Sequence, residues 1–307
     1  MKEKAGYPAQ VKVVEVGPRD GLQNVKEIIP TESKITYIEK LVKAGCQYIE
    51  VTSFVHPRWV PQLADSKEVY SQLPRREGVH YIALVPNVKG METALELGVQ
   101  QIAVFTSASE TFSQKNTNAS VAESLQRCRE VAEMGRRHRI PFRGYISTSF
   151  GCPFQGPVSP NKVVEIADQL FDMGVYEVSL GDTIGIAVPT DVEQLLDKIL
   201  GRFDPNRIAL HMHDTRRTAL ANILRGLDSG IATFDASSGG LGGCPFAPGA
   251  SGNLATEDLV YMLHKMGIET NTDLEALGEA TRFMEKVLGR PLLSHIECRA
   301  EMTQPYG

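Results

Sequence analysis

The sequence predicts an α/β fold of the (β/α)8 TIM-barrel class, and three observations predict it. Short β-branched runs recur eight times along the 307 residues. Most are separated by a longer stretch with apolar residues at helical spacing, the pattern of repeated βα units. Several of those stretches end in a glycine one or two residues ahead of the next strand, which is helix C-cap chemistry. A doubly wound sheet stops at about five or six strands and carries a dinucleotide glycine fingerprint after its first strand. The corresponding stretch here, Gly17-Pro-Arg-Asp-Gly-Leu-Gln23, is not that fingerprint.

In chain order, the expected strands are residues 11–17, 48–54, 81–87, 101–107, 142–148, 176–182, 207–214 and 233–239. Gly45, Gly98, Gly174 and Gly230 close the helical stretches that feed the second, fourth, sixth and eighth strands. No Ser/Gly-rich or Pro-rich linker interrupts the units, so one catalytic domain is expected over 1–307, with the barrel at about 11–265 and a helical extension at about 266–307. A glycine-rich lid loop is expected after the eighth strand. In this fold polar residues at the C-terminal ends of strands carry chemistry, and those at the opposite rim carry stability.

Composition narrows the function. Thirty-two Lys plus Arg stand against 37 Asp plus Glu, a net charge of −5 with no long run of one sign, which argues against a nucleic-acid or anionic-membrane partner and for a small molecule. Five cysteines, an odd number in a chain able to bury its own core, read as reduced thiols. The first residues lack the character of a secretory or organelle address, and no apolar run approaches the roughly 20 residues of a membrane span. A soluble cytoplasmic protein is expected.

The chemistry-bearing residues fall at expected strand ends. In Leu210-His-Met-His-Asp214 the two-residue period of a strand turns His211 and His213 to one face, about 7 Å apart along the chain, which makes a metal half-site. Asp214 points the other way and reads as a helix cap or a supporting partner. Asp20, just past the first strand, can add a hard oxygen. Two imidazoles and a carboxylate suit Mg²⁺, Mn²⁺ or Zn²⁺. Arg19 beside it is placed to neutralise a substrate oxyanion. Glu50 interrupts an apolar strand, so it is either paired, for example with Arg19, or catalytic. Asp182 is read as a cap, and Cys46 and Cys128 as packing residues. Residues 239–253 hold six glycines in fifteen positions around Cys244 and end in Asn253. Such a segment reads as a lid that delivers the Cys244 thiol as proton donor or nucleophile; an ordinary thiol pKa of about 8.5 suits the donor better.

Val16-Gly-Pro-Arg-Asp-Gly-Leu-Gln-Asn24, Thr52-Ser-Phe54, Gly151-Cys-Pro-Phe-Gln-Gly156, Ser179-Leu-Gly-Asp-Thr-Ile-Gly185, His211-Met-His-Asp-Thr215 and the run from Gly239 to Leu259 together resemble the hydroxymethylglutaryl-CoA lyase family, over nearly the whole chain and in order. The His-x-His and Arg-Asp-Gly elements belong to the wider Claisen-type synthase and lyase superfamily. The cysteine-bearing glycine loop with its Ala-Ser-Gly-Asn ending, and Leu22 where related synthases carry an acid, are specific to the lyases. Arg216-Arg217 depart from the family's Tyr-Gly, which bears on the loop wall and the acyl-chain preference.

The resemblance implies retro-Claisen cleavage of a CoA thioester, 3-hydroxy-3-methylglutaryl-CoA, to acetyl-CoA and acetoacetate, with Mg²⁺ or Mn²⁺, in a homodimer, and with roles in leucine degradation or ketone-body formation. Position by position it implies metal ligands at Asp20, His211, His213 and Asn253, an enolate-steadying Arg19, an active-site acid at Glu50, substrate binding by Arg19 and Gln23, and a lid acid at Cys244. Asp20 or His211 would take the hydroxyl proton. The alternatives are a Claisen condensing synthase or aldolase, a lyase for a longer-branched 3-hydroxyacyl-CoA, and an acyl-CoA-binding protein without turnover.

Overall fold

The computed structural model describes residues 6–243 and 252–294. Eight parallel strands, β1 (Lys12–Glu15), β2 (Tyr48–Ser53), β3 (His80–Leu84), β4 (Gln101–Ser107), β5 (Phe142–Ser147), β6 (Val178–Asp182), β7 (Ile208–Met212) and β8 (Thr233–Ala236), close into a barrel in sequential order. Each expected strand is present, most of them shorter than read. The first stops at Glu15 because Gly17–Gly21 winds into one wide helical turn in which the Gly21 N–H reaches the Val16 carbonyl. A two-stranded hairpin, Gly151–Cys152 with Gly156–Pro157, was not foreseen.

Helices α1 (Thr31–Lys43), α2 (Ser66–Gln72), α3 (Val88–Glu96), α4 (Glu110–Thr117), α5 (Val121–Arg137), α6 (Pro160–Asp172), α7 (Pro189–Ile199), α8 (Ala219–Asp228) and α9 (Thr256–Lys265) follow the strands. After α9 the chain forms α10 (Leu274–Leu288), which packs on α1 through Leu277, Ala280 and Met284 against Ile38 and Leu41. Outward-facing strand residues such as Ile49, Ile102 and Ile146 are fully buried beneath these helices. No helix among the described residues is long and apolar enough to cross a membrane.

The glycines read as helix ends all take positive φ: 89° at Gly45, 64° at Gly98, 95° at Gly174 and 86° at Gly230. Gly45 is the tightest, since a Cβ there would lie 2.1 Å from the Asn271 carbonyl oxygen. Gly45→Ala is therefore expected to lower stability by about 1–2 kcal/mol or more; urea unfolding checks this, and an unchanged midpoint would contradict it.

Behind the barrel mouth lie two buried carboxylates. Glu15 accepts from the Gly17 N–H (2.8 Å), the Ser238 N–H (2.9 Å) and the Thr256 hydroxyl (2.7 Å). Glu257 accepts from the Gly239 N–H (2.9 Å) and from the Thr281 hydroxyl. They pin the turn that carries Arg19 and Asp20 and the root of the glycine loop to α9 and α10. Burial outweighs these hydrogen bonds and pushes each carboxyl up to about 7. A carboxyl raised in the folded state contributes stability that is fully present below about pH 4.5 and lost as pH rises through about 7. Unfolding free energy measured at pH 5 and pH 8 should therefore fall less in Glu257→Gln than in the unmodified chain, by roughly 1–3 kcal/mol; equal slopes would contradict the assignment.

Candidate active site and metal centre

The wide turn after β1 lifts Arg19 and Asp20 to the mouth of the barrel. Gly17 is required there: a Cβ would stand 2.4 Å from the Tyr37 hydroxyl and 2.6 Å from Glu15. Arg19 is buried, and an unpaired guanidinium in that position would be costly. Its Nε donates to Glu50 Oε1 and its Nη1 donates to Asp20 Oδ1 at 2.6 Å. Gln23 lies at the edge, 3.5 Å from both Arg19 and Asp20. Burial works against the charge on Arg19, but Glu50 and Asp20 hold its pKa raised. Burial likewise opposes the charge on Asp20, and Arg19, His211, His213 and Asn253 outweigh it, so Asp20 is held well below the carboxylate range. Glu50 is paired with Arg19 at the mouth itself. A bulge in β2, where the register slips between Glu50 and Thr52, sits at this point.

His211 is the penultimate residue of β7, and His213, just past its end, lies on the same face, as the strand period requires. Their Nε2 atoms are 3.3 Å apart, and Asp20 Oδ2 is 3.9 Å from His211 Nε2. One ligand atom from each of Asp20, His211 and His213 falls within 4.8 Å of the others. His211 Nδ1 faces Asp235 Oδ2 at 3.2 Å, so the ring's proton belongs on Nδ1 and a lone pair on Nε2. Burial disfavours the charged His211, yet the hydrogen bond and charge of Asp235 and the charge of Asp20 leave its pKa raised. Burial and the neighbouring His211 push His213 down to about 4, which keeps it neutral. The Nδ1 of His213 is buried without a hydrogen-bond partner. Two imidazole nitrogens and a carboxylate oxygen that converge on one point are a donor set of the kind that holds a divalent cation. The donor set therefore fits a metal.

Asn253 bridges its backbone to His213 and places its side chain beside Asp20. It does so with the amide nitrogen: Nδ2 donates to Asp20 Oδ2 and to the Leu241 carbonyl, both at 2.9 Å. A half-turn of the amide presents Oδ1 instead. Cys244 lies outside the described residues, as do 245–251 of the glycine-rich segment.

A set of residues that the sequence reading passed over forms the floor of the site. Arg143 on β5 is fully buried, with Nη1 and Nη2 each 3.0 Å from Asp235 Oδ1 and Nη1 3.0 Å from the Tyr145 hydroxyl. Its Nη2 pairs with Glu177 at 3.0 Å, and Glu177 pairs with Lys12 at the opposite rim. Tyr145 donates to Glu50 Oε2, and Ser179 donates to Asp235 Oδ2 at 2.7 Å. Despite its burial, Asp235 is lowered to about 2 by Arg143 and His211. Arg143, Tyr145, Ser179 and Asp235 are polar interruptions of strands at inward parity, the same signal that drew attention to Glu50.

Asp214 accepts from the Ala219 N–H, the first of α8, at 3.0 Å; Asp182 accepts from the Ile186 and Ala187 N–H groups at 3.1 and 2.9 Å, and so holds the turn ahead of α7 and does not cap the helix itself. Burial pushes Cys128 up to about 12 and raises Cys46 as well, consistent with packing roles. Arg216 Nη1 donates to the carbonyls of Ile184 (3.2 Å) and Gly185 (3.0 Å), tying the loop after β7 to the loop after β6. Arg217 holds φ at 60°, in the left-handed region that favours glycine.

The family profile described as HMGL-like matches residues 10–284. The chain is similar to a protein named hydroxymethylglutaryl-CoA lyase from Bacillus subtilis (strain 168), with 52% identity over 94% of this chain and 96% of that one. It is similar in structure to the HMG-CoA lyase of Bacillus subtilis, with a TM-score of 0.93 and 51% identity over 95% of this chain and 98% of that one. An HMG-CoA lyase from Acinetobacter baumannii, solved in complex with coenzyme A and 3-methylmalate, gives a TM-score of 0.93 at 37% identity over 99% of both chains. With the profile spanning most of the sequence and half-identical relatives sharing its barrel, the chain belongs to the HMGL-like family of carbon–carbon lyases.

Proposed function

We propose that this chain cleaves 3-hydroxy-3-methylglutaryl-CoA to acetyl-CoA and acetoacetate, with Mg²⁺ or Mn²⁺ held by Asp20, His211, His213 and Asn253. The observation that carries the reading is the convergence of Asp20, His211 and His213 at the barrel mouth with the Arg19 guanidinium 2.6 Å from Asp20. When bound, the cation supplies Lewis acidity to the tertiary alcohol and to the ketone oxygen it becomes.

The side chains account for the rest of the chemistry. The hydroxyl proton passes to Asp20, whose carboxylate keeps lone pairs free when one oxygen faces a cation; His211, the other candidate base, has Nδ1 committed to Asp235 and a single lone pair on Nε2 that metal binding would occupy. A positioned base contributes about 10² to 10⁴ in rate. As the C2–C3 bond breaks, its electron pair moves into the thioester and the alcohol oxygen becomes the ketone of acetoacetate. Arg19, held rigid by Glu50, is aimed to neutralise the enolate oxygen of the acetyl-CoA half. Gln23 lines the edge of that position and contacts the substrate carboxylate or thioester. The Cys244 thiol gives its proton to the enolate carbon, and closure of the glycine-rich segment keeps water from that carbon. The family resemblance also carries the expectation of a homodimer, which light scattering in solution checks.

Acetoacetate release from hydroxymethylglutaryl-CoA is expected with Mg²⁺ or Mn²⁺, to stop on chelation, and to fall by at least about 10²-fold in Cys244→Ala. Release unaffected by a chelator, or by the loss of Cys244, would overturn the assignment. Arg19→Met should lose about 3–4 kcal/mol of transition-state stabilisation, seen in kcat rather than KM alone. A change confined to KM would make Arg19 a binding group only. His213→Ala should lower the bound-metal stoichiometry of folded protein, and full occupancy in that variant would remove His213 from the ligand set.

A further inference from the structure

We infer that Arg143 is a positioning residue that fixes Arg19 and His211 relative to one another, by setting the direction of two hydrogen-bond chains that start from its guanidinium. The inference rests on the proposed lyase reading of the site.

Arginine can only donate, and it keeps its charge at any working pH. Arg143 Nη1 reaches the Tyr145 hydroxyl at 3.0 Å, so that oxygen accepts, and its single proton is left to go elsewhere. It goes to Glu50 Oε2, whose other oxygen accepts from Arg19 Nε. This arm ends on the guanidinium that faces the developing enolate. The second arm runs through Asp235. Both Nη atoms of Arg143 donate to Asp235 Oδ1 at 3.0 Å, and Oδ2 accepts from Ser179 at 2.7 Å and faces His211 Nδ1 at 3.2 Å. An ionised carboxylate can only accept, so His211 must donate from Nδ1 and present a bare Nε2 to the site. The two arms are closed by packing: the Tyr145 ring meets His211 edge-on at 6.2 Å and lies under both guanidinium groups, 4.8 Å from Arg143 and 5.7 Å from Arg19.

Arg143, Tyr145 and Asp235 stand behind Glu50 and His211, and Arg143 is the only Lys or Arg among the described residues paired with Asp235. Removing the fork leaves Asp235 and Tyr145 free to reorient, and with them the His211 tautomer and the Glu50 clamp. Lys12 and Glu177 complete the column below Arg143 and hold its outer face.

The test separates the arms. Asp235→Asn can offer an N–H to His211 Nδ1 and so transfer the ring proton to Nε2. Mn²⁺ binding, followed by electron paramagnetic resonance without substrate, is expected to weaken by about 10- to 100-fold. Tyr145→Phe breaks only the Glu50 arm. It should leave Mn²⁺ affinity within about twofold while kcat falls by about tenfold or more at nearly constant KM. Arg143→Lys, which keeps the charge and loses the fork, should show both defects. Circular dichroism verifies folding, and the unmodified, Mg²⁺-loaded protein supplies an independent measurement: long-range ¹H–¹⁵N correlation should find His211 protonated at Nδ1. Wild-type Mn²⁺ affinity in folded Asp235→Asn and Arg143→Lys, or a His211 protonated at Nε2, would overturn the inference while leaving the metal site standing. Absence of Mn²⁺ binding by the unmodified chain would overturn the metal site itself, and this inference with it.

Discussion

Arg19 cannot be kept inside the barrel mouth without a carboxylate on either side of it. Glu50 and Asp20 supply them, and most of the site follows from that requirement. Each carboxylate in turn needs its second oxygen occupied: Glu50 by Tyr145, Asp20 by Asn253. Tyr145 leads to Arg143, and Arg143 brings in Asp235 and Glu177. Counted across this column, four carboxylates besides Asp235's partner histidine are set against three fixed cations, Lys12, Arg19 and Arg143. A column with that imbalance, ending on two imidazoles, is an electrostatic setting in which a divalent cation is stabilising. Buried ion pairs contribute little net stability, because desolvation offsets their attraction. What they provide is a fixed geometry, and a retro-Claisen cleavage needs fixed geometry around two oxygens that change charge together.

The two halves of the barrel interior divide this labour. At mid-barrel the inward residues of β1, β3 and β4 are apolar: Val14, Ile82, Leu84 and Ala103, with Val16 just past β1, form one cluster with the Tyr145 ring. On β5, β6, β7 and β8 they are Arg143, Ser179, His211 and Asp235. The apolar half gives the polar half a dry wall, which strengthens every interaction in it. Outside the strands, Glu15 and Glu257 hold the catalytic turn and the root of the glycine loop through backbone N–H groups, with no cation among their hydrogen-bond partners. Those carboxyls are raised where Asp20 and Asp235 are lowered, and the difference is the presence of Arg19 and Arg143.

Much of this was legible in the sequence, because strand parity and cap chemistry are local. All eight strands, the four strand-feeding glycines and the shared face of His211 and His213 needed only neighbours in the chain. Asp20 needed one further idea, that the first strand end meets the others when the barrel closes. Asn253 did not announce itself from residue type alone and came from the family resemblance. Arg143, Tyr145, Glu177 and Asp235 were missed because each is a polar residue in or beside an otherwise apolar strand with charged partners far along the chain, Glu177 and Asp235 for Arg143 and Glu50 for Tyr145. The reasoning that picked out Glu50, a charge at inward parity, applies equally to Phe142-Arg-Gly-Tyr145 and Thr233-Phe-Asp-Ala236. Strand ends were read too long for a physical reason as well: β-branched composition continues past the last ladder bond, while Gly17 and Gly239 already belong to turns.

The most direct measurement is anomalous diffraction from crystals grown with Mn²⁺. One strong peak is expected at ligand distance, roughly 2.0–2.3 Å, from Asp20, His211 and His213, with the Asn253 amide turned to bring Oδ1 toward it. A peak elsewhere, or none with the two imidazoles still facing each other, would contradict the metal-centred reading of the site.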